Sequence, residues 1–354
     1  MFPPIKRFMK PDIRTVAKRA GVSIGTVSNV IHGRMSVNSE IQARVVKAIA
    51  ELGYQPSRVA QGLRSKRSRT LGLILSDLHN PFFTQIAAAV ETTVSQAGYD
   101  LILATSSEDI QKERRAVENL ANRRVDGLIM APSPGNHSYL REVISQGIPV
   151  VLTNRRLPDL DIPAVYADHA TGSATGIEHL ISHGHHRIGV IVGLRGLSST
   201  ADTLRGIRRA VKARKVPDLV IVEAESGATH EGGQKAAHDL VRGASPVTAI
   251  LSLSTMATLG ALMAIRRMGI GIPDDLAFIG CSDHRWCAVM DPPLTMIQQH
   301  ATQIGLEAAR LLLGLLTGAA SPNRKPVVLP ATLTIRKSCG CPTPSSGSPQ
   351  DKRR

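Results

Sequence analysis

Three short segments near the start of the chain carry apolar residues at the spacing of an α-helix. The first follows Asp12, whose carboxylate can cap a helix, and it ends at Gly21, which tolerates positive φ. The second covers residues 24–31 and the third residues 39–52. Two short helices joined by a turn that contains glycine are typical of a helix-turn-helix, which places its second helix in the major groove of DNA.

From residue 70 the pattern changes to short, continuously apolar segments that alternate with amphipathic stretches. Continuous apolar strands between helices are typical of a parallel sheet that is covered on both faces. The predicted strands cover residues 71–75, 99–104, 125–130, 148–152, 187–192, 219–222, 249–253 and 276–279. They form two similar runs, so the sequence predicts an α/β fold with a helix-turn-helix head and a core of two lobes.

Basic residues are concentrated in the predicted head. Residues 1–70 contain 14 Lys and Arg residues and three Asp and Glu residues, whereas the remainder of the chain is nearly neutral. This distribution is typical of a polyanion-binding domain, and a solvated basic surface is the alternative. The sequence shows no membrane-spanning run and no signal peptide, and four cysteines in a chain of 354 residues fit a reducing compartment. We therefore expect a cytoplasmic protein that has no contact with a membrane.

Three motifs in the first 63 residues resemble the LacI/GalR (lactose-repressor) family. They are residues 15–29 (TVAKRAGVSIGTVSN), 51–56 (ELGYQP) and 60–63 (AQGL), and the resemblance continues to about residue 338. It implies a repressor that binds palindromic double-stranded operator DNA as a homodimer or a tetramer, under the control of a small molecule. It also implies a hinge helix after the head and a periplasmic-binding-protein-like core of parallel sheets, with the ligand in a cleft between the lobes.

The resemblance and the patterns together divide the chain into four parts. We expect a head at residues 1–56, a hinge helix and linker at 57–69, a core at 70–338 and a disordered tail at 339–354. Since the chain of this family crosses between the lobes three times, the first lobe is expected to comprise about 70–167 and 297–325. The second lobe is then about 168–296 and 326–338.

The resemblance assigns base contacts to three residues of the second helix. Asn29 can form a bidentate pair with adenine, and a solvent-facing position is the alternative for it. Ile24 offers only apolar contact and Gly25 has no side chain, so base recognition by this helix is limited. The residues predicted to contact phosphates are Thr26, Ser28 and His32.

Residues 57–64 match the family's hinge helix, which folds on DNA and inserts a leucine into the minor groove. The inserted residue is Leu63, for which packing against the core is the alternative. Ser57 and Arg64, at the ends of this segment, are also expected to contact DNA. The linker 64–69 is rich in charge and poor in apolar residues, so we expect it to stay mobile without DNA and to add phosphate contacts.

Ligands of open parallel sheets bind beyond the carboxyl ends of the strands, which places the predicted effector cleft there. Residues 80–83 (NPFF) match a family loop whose aromatic side chains flank the effector, although packing of the helix start is the alternative. The predicted effector contacts are Phe82, Phe83, Ser133, Asn154, Thr203, Ser254, Ser282 and Asp283.

Four of these positions depart from the family's sugar binders, which usually carry charged or bidentate polar groups there. The short neutral residues found instead are Asn154, Thr203, Ser254 and Ser282. Each sugar hydroxyl that is buried without a partner costs about 1–3 kcal/mol. We therefore expect that the effector is not an ordinary neutral sugar, or that effector control is weak or lost. A DNA-binding regulator or nucleoid-type protein without effector control is the alternative function.

The sequence contains no motif for an enzyme or a bound cofactor. A phosphate-binding loop, a Gly-x-Ser-x-Gly elbow and a His-Glu-x-x-His helix are all missing. Residues 183–186 (HGHH) and 339–341 (CGC) carry metal-ligating types, but the histidines are interpreted as a helix end that places cations at its C-terminal dipole. We therefore predict neither a catalytic site nor a metal site.

Overall fold

The structure, a computed structural model, describes residues 11–32, 37–54, 67–319 and 325–341, and of His32 it describes the backbone alone. The chain divides into two compact units, residues 1–68 and 69–354, which are described separately. In the described ranges, none of the helices has the length and apolar character that crossing a membrane requires.

The first unit contains the three helices that the sequence predicted. They are α1 (Ile13–Ala20), α2 (Ile24–His32) and α3 (Ser39–Leu52). The carboxylate of Asp12 caps α1 by accepting from the backbone N–H of Thr15, and Gly21 ends this helix with φ 64°. Val16, Val27 and Val45, one from each helix, are fully buried in the centre of the unit. The arrangement confirms the helix-turn-helix.

The first lobe of the core is a six-stranded parallel sheet with the strand order β11-β5-β4-β3-β1-β2. Its strands are β1 (Thr70–Leu75), β2 (Asp100–Thr105), β3 (Gly127–Met130), β4 (Val150–Thr153), β5 (Ala164–Ala167) and β11 (Val327–Leu329). Its helices are α4 (Pro81–Gln96), α5 (Ile110–Asn122), α6 (Leu140–Ser145) and α11 (Ala301–Thr317). Leu71 and Leu73 point into one apolar cluster and Ile74 into another, so both faces of the sheet are covered.

The second lobe repeats this plan, with the strand order β12-β10-β9-β8-β6-β7. Its strands are β6 (Arg187–Val192), β7 (Val220–Glu225), β8 (Ala249–Ser252), β9 (Ala277–Cys281), β10 (Thr295–Gln298) and β12 (Thr332–Thr334), the last of them antiparallel to its neighbour. Its helices are α7 (His169–Ser182), α8 (Ser198–Arg214), α9 (His230–Arg242) and α10 (Thr255–Arg267), with a 3-10 turn at Arg285–Ala288. The two-lobed α/β architecture is therefore confirmed.

Two expected boundaries differ from the structure. The sequence assigned residues 326–338 to the second lobe, but β11 pairs with β5 in the first lobe and only β12 joins the second sheet. The expected tail began at residue 339, yet Cys339 is fully buried in the core of the second lobe. The chain thus crosses between the lobes after Leu329, and its packed part extends to Cys341. The rest of the expected tail lies outside the described residues.

Candidate nucleic-acid interface and ligand cleft

The start of α2 presents the residues to which base contacts were assigned. Ile24 is 40% exposed, and Gly25 beside it is also exposed. Ser23 fixes this end of the helix, because its Oγ accepts from the backbone N–H of Thr26 at 3.1 Å and lies 2.9 Å from Thr26 Oγ1. Asn29 is half-buried, one turn along the helix from Gly25. The surface at the start of α2 is therefore small, neutral and partly apolar.

Two predicted phosphate contacts have different outcomes. Thr26 is half-buried at the start of α2, where a phosphate can reach it. Ser28 is buried, with an exposed fraction of 9%, because it lies on the side of α2 that packs into the head. The structure therefore does not support the phosphate contact predicted for Ser28. The side chain of His32 and the hinge residues Ser57, Leu63 and Arg64 lie outside the described part of the chain.

A cavity of about 350 Å³ opens within the core unit where the strands of both sheets end. Its wall comes from loops that follow β1, β2 and β4 in the first lobe, and β6, β7 and β8 in the second. The predicted effector residues that line it are Phe82, Phe83, Asn154, Thr203 and Ser254. The strand-end rule of parallel sheets thus located the cavity from sequence.

The two aromatic residues of the wall are held by the start of α4. Asn80 caps this helix, since its Oδ1 accepts from the backbone N–H of Phe82 at 3.0 Å, and Pro81 occupies the first turn. The rings of Phe82 and Phe83 lie edge to face, with their centroids 5.3 Å apart, and both belong to the apolar cluster of the first lobe. They therefore pack the helix start and line the cavity at the same time.

The sequence analysis missed a charged pair on the same wall. Arg155 is buried and forms a bidentate ion pair with Glu108, with nitrogen–oxygen distances of 2.8 and 2.6 Å. Its guanidinium also donates to the carbonyl of Pro132 at 2.8 Å and lies 5.8 Å from the ring centroid of Phe83. The signal available in the sequence was an arginine two residues past the end of the strand at 150–153. The cavity is therefore more polar than the serines and threonines had suggested.

Two buried polar atoms on this wall have no hydrogen-bond partner among the residues that the structure describes. They are Oδ1 of Asn154 and Nε of Arg155, an acceptor and a donor on neighbouring residues. Asn154 has φ 64°, a left-handed conformation that asparagine tolerates better than most residues. An unsatisfied buried polar atom costs about 1–3 kcal/mol. The loop at residues 154–155 thus leaves two buried polar groups unpaired next to the cavity.

Several side chains connect the two lobes around the cavity. His169 at the start of α7 lies 3.2 Å from the carbonyl oxygen of Asn154, and its burial lowers its pKa, which favours the neutral ring at pH 7. Arg156 of the first lobe forms a bidentate ion pair with Asp202 of α8. Burial by itself would raise the pKa of Asp202, but Arg156 and Arg205 outweigh it and hold this pKa below the usual range. These contacts connect the two lobes. The groups involved keep their protonation states near neutral pH, so the connection should not change there.

Three predicted effector contacts are occupied elsewhere. Ser133 donates through Oγ to Ser106 at 3.0 Å, and its backbone N–H donates to Glu113, away from the cavity of about 350 Å³. Ser282 is buried, with its Oγ 2.7 Å from Oγ1 of Thr255. Asp283 forms a bidentate ion pair with Arg336, at 2.9 and 2.8 Å, which neutralises its carboxylate. These three effector contacts stay predictions, and their side chains have other partners in this structure because a position at a strand end does not fix the direction of the side chain.

Comparison with known proteins decides the family. Residues 12–57 match the family model of bacterial regulatory proteins of the lacI family, and residues 177–339 match that of a periplasmic binding protein-like domain. The ribose operon repressor of Halalkalibacterium halodurans is 34% identical over 302 residues, which are 85% of this chain and 89% of that protein. The chain belongs to the LacI family. As a member of this family it is a DNA-binding transcriptional regulator, as the motifs at 15–29 and 51–56 had indicated.

Solved structures of LacI-family proteins have the same fold. A lac repressor dimer bound to operator and the anti-inducer ONPF has a TM-score of 0.82 and 27% sequence identity, and the match covers 93% of this chain and 99% of that chain. A complex of the transcriptional regulator CelR with cellobiose has a TM-score of 0.67 and 30% identity, with the same coverage. The expected head and two-lobed core are thus shared with regulators whose structures contain DNA or a small molecule.

Proposed function

We propose that this LacI-family regulator is a repressor that binds palindromic operator DNA as a homodimer in the cytoplasm. The relatives named above support this proposal, since one is a repressor by name and another is a dimer on its operator. Two identical heads match a palindrome because the symmetry of the dimer is then the symmetry of the site. The head supports specific contacts, because Ile24 is exposed at the start of the helix that enters the major groove in this motif.

We further propose that a small polar molecule in the cleft changes the affinity for the operator. The observation that carries this proposal is the cavity at the strand ends, whose wall combines the rings of Phe82 and Phe83 with polar side chains such as Asn154, Glu108 and Ser254. A volume of about 350 Å³ is near the lower end of the range for ligand pockets, so the ligand is small. Its polar groups pair with the polar side chains of this wall.

That the effector is not an ordinary neutral sugar stays a prediction. It rested on four positions with short neutral side chains, but the cleft also contains Arg155, Glu108 and Asp77, which can serve as partners for hydroxyl groups. The argument that sugar hydroxyl groups lack hydrogen-bond partners in the cleft is therefore weaker than the sequence alone indicated. Neutral sugars and other small polar molecules should both be tested.

The test begins with thermal-shift screening of the purified full-length protein against ribose, hexoses, disaccharides, sugar acids, polyols and nucleosides. A compound that raises the melting temperature is then titrated by calorimetry into the wild type, Ser254→Ala and Ser245→Ala. Ser254 lines the cavity, whereas Ser245 is exposed outside it, so only the first substitution should weaken binding. The compound should also change operator affinity in a gel-shift titration. If no compound from these classes binds, or binding leaves operator affinity unchanged, effector control is refuted for them and a regulator without it is favoured.

A further inference from the structure

A cluster of metal-ligating side chains lies in the second lobe, away from the ligand cleft. It joins His179 and His183, at the end of α7, to Cys339 and Cys341, at the end of the described chain. Nε2 of His179 lies 3.3 Å from Sγ of both cysteines, and Nε2 of His183 lies 2.9 Å from Sγ of Cys341. Residues that are about 160 positions apart in the chain thus bring two nitrogens and two sulfurs together.

Local structure explains why each pair faces the same way. His179 and His183 are four residues apart, which places them on one face of the helix, and their ring centroids are 4.4 Å apart. Gly340 separates the two cysteines and has φ 83°, a conformation that glycine adopts readily and that turns the chain between the sulfurs.

The neighbouring residues hold these side chains in position. Nδ1 of His183 lies 2.8 Å from the carbonyl oxygen of His179, so a proton on Nδ1 leaves Nε2 free to act as a ligand. Ser338, next to Cys339, donates through Oγ to the carbonyl of Phe278 at 2.7 Å and accepts from the backbone N–H of Thr295 at 2.8 Å. Hydrogen bonds from backbone carbonyls to ligating histidines are a recurrent feature of metal sites.

His179, His183 and Cys341 lie close enough together for one tetrahedral zinc ion, whereas Sγ of Cys339 is near His179 but outside this group of three. Bonds of about 2.3 Å to sulfur and about 2.0–2.1 Å to nitrogen place tetrahedral N and S ligands about 3.5 Å apart. The three nitrogen–sulfur distances of 3.3, 3.3 and 2.9 Å are close to this value. The ligating atoms of His179, His183 and Cys341 also lie within 4.8 Å of one another. A set of two imidazoles and two thiolates favours binding of zinc over binding of magnesium or calcium.

We propose that His179, His183 and Cys341 bind one zinc ion, and that Cys339, whose Sγ lies 3.3 Å from Nε2 of His179, moves in as the fourth ligand to give a closed structural site. Four protein ligands leave no open position for substrate, which is the arrangement of structural rather than catalytic zinc. The ion fastens the end of the chain to α7, just after β12, where the last crossing from the first lobe has ended. Its role is therefore to stabilise the second lobe. This proposal is an alternative to our prediction from sequence that the chain has no metal site.

The first experiment measures zinc in the full-length protein, purified under reducing conditions and then freed of metal with a chelator. Titration with Zn²⁺, followed by elemental analysis after desalting, should give one ion per chain. Titration with Co²⁺ should give one equivalent with sulfur-to-cobalt charge-transfer bands, which report thiolate ligands directly. Zinc should also raise the melting temperature, because a ligand that binds only the folded state stabilises it.

Variants locate the site. Cys341→Ser and His183→Gln, both at positions that are not fully buried, should bind Zn²⁺ at least tenfold more weakly and lose the thiolate bands or change them. His186→Gln should bind like the wild type, because His186 is exposed and contacts the carbonyl of Pro217 instead of the cluster. Circular dichroism of each variant checks its folding, and the stoichiometry of the wild type decides the matter if a variant does not fold.

Three results would overturn the proposal. The first is less than half an equivalent of zinc in the reduced wild type. The second is equal zinc affinity in Cys341→Ser, His183→Gln and the wild type. The third is a disulfide between Cys339 and Cys341, found by mass spectrometry in protein that was purified without an oxidant.

Discussion

Glu113 supports the loop that follows β3, and its replacement by glutamine should destabilise the first lobe. The side chain is fully buried, and its carboxylate accepts from Tyr139 Oη and from the backbone N–H of Ser133, both at 2.5 Å. Nε2 of His137 lies 3.0 Å from Oε1. The Glu113→Gln side chain has the same shape, but it replaces one acceptor oxygen by a donor and removes the charge.

The expected loss follows from these contacts. Hydrogen bonds to a charged group contribute about 1.5–3 kcal/mol, against about 1 kcal/mol for neutral pairs, and a buried donor left without a partner costs about 1–3 kcal/mol. We expect a loss of about 2–4 kcal/mol, because the amide keeps an acceptor for the groups on one of its two oxygen positions and presents a donor at the other. At about 2–4 °C per kcal/mol for a unit of this size, the melting temperature should fall by roughly 4–16 °C.

The assay is thermal and urea unfolding of the wild type, Glu113→Gln and a matched control at pH 7. The control is Glu118→Gln, which changes an exposed glutamate on the same helix whose partner is Arg114 at 2.8 Å. A surface pair of this kind contributes about 0.3–0.5 kcal/mol, so the control should melt within 2 °C of the wild type, a difference of roughly half a kcal/mol. If the two variants lose the same stability, our account of the buried carboxylate is refuted.

The pH dependence gives an independent check of the same residue. Burial by itself would raise the pKa of Glu113, but its contacts with His137, Tyr139 and Ser133 outweigh burial and hold the pKa below the usual value. A carboxylate whose pKa is lowered by folding stabilises the protein above its unfolded pKa and loses this effect as the pH falls. The stability difference between the wild type and Glu113→Gln should therefore be constant near neutral pH and shrink below about pH 4.

Two further substitutions test the joint between the lobes and the packing of α7 on α8. Arg156→Gln removes the ion pair with Asp202 that crosses between the lobes, so calorimetry should show at least fivefold weaker effector binding. Arg205→Gln removes another partner of Asp202 within one helix and should change binding less than twofold; equal effects would contradict a role for the crossing. Gly206→Ala would place a Cβ 2.0 Å from the carbonyl oxygen of Ala170, so it should cost about 1–3 kcal/mol. If urea unfolding shows this variant to be as stable as the wild type, α7 and α8 can move apart without loss of stability and the close packing is not important.

The fold could be predicted because its signals are local. Each apolar run from residue 70 onward has the length of a strand, and α1 and α3 of the head each have their own cap and glycine stop. The boundary between the lobes near residue 330 could not be predicted in the same way. Residues 327–335 form one largely apolar stretch, and its division into β11 and β12 depends on strand partners that lie more than 30 residues away.

For the candidate sites too, the sequence predicted where a residue lies along the fold but not which side chain it contacts. The strand-end rule located Asn154 and Thr203 on the cavity wall, but it also assigned Asp283, whose partner Arg336 is 53 residues distant. The histidine-rich stretch at 183–186 suggested a local metal motif. In the structure, His183 joins a histidine one turn earlier and two cysteines near the other end of the chain. Such groupings become visible only after the chain has folded.

The measurement that tests the central claim most directly is selection from a pool of random palindromic duplexes with the full-length protein at moderate salt. A repressor should enrich one family of sites and bind it at least about a thousandfold more tightly than bulk duplex. Asn29→Ala should reduce this preference by about 1–3 kcal/mol, and Ile24→Ala should reduce it by less because it removes only an apolar contact. Neither change should alter the salt dependence, because neither removes a phosphate contact. Val46→Ala, a change at an exposed apolar residue of α3, should leave the preference intact. If no sequence competes better than bulk duplex, or if the α2 substitutions change nothing, the assignment of this chain as a sequence-specific repressor is contradicted.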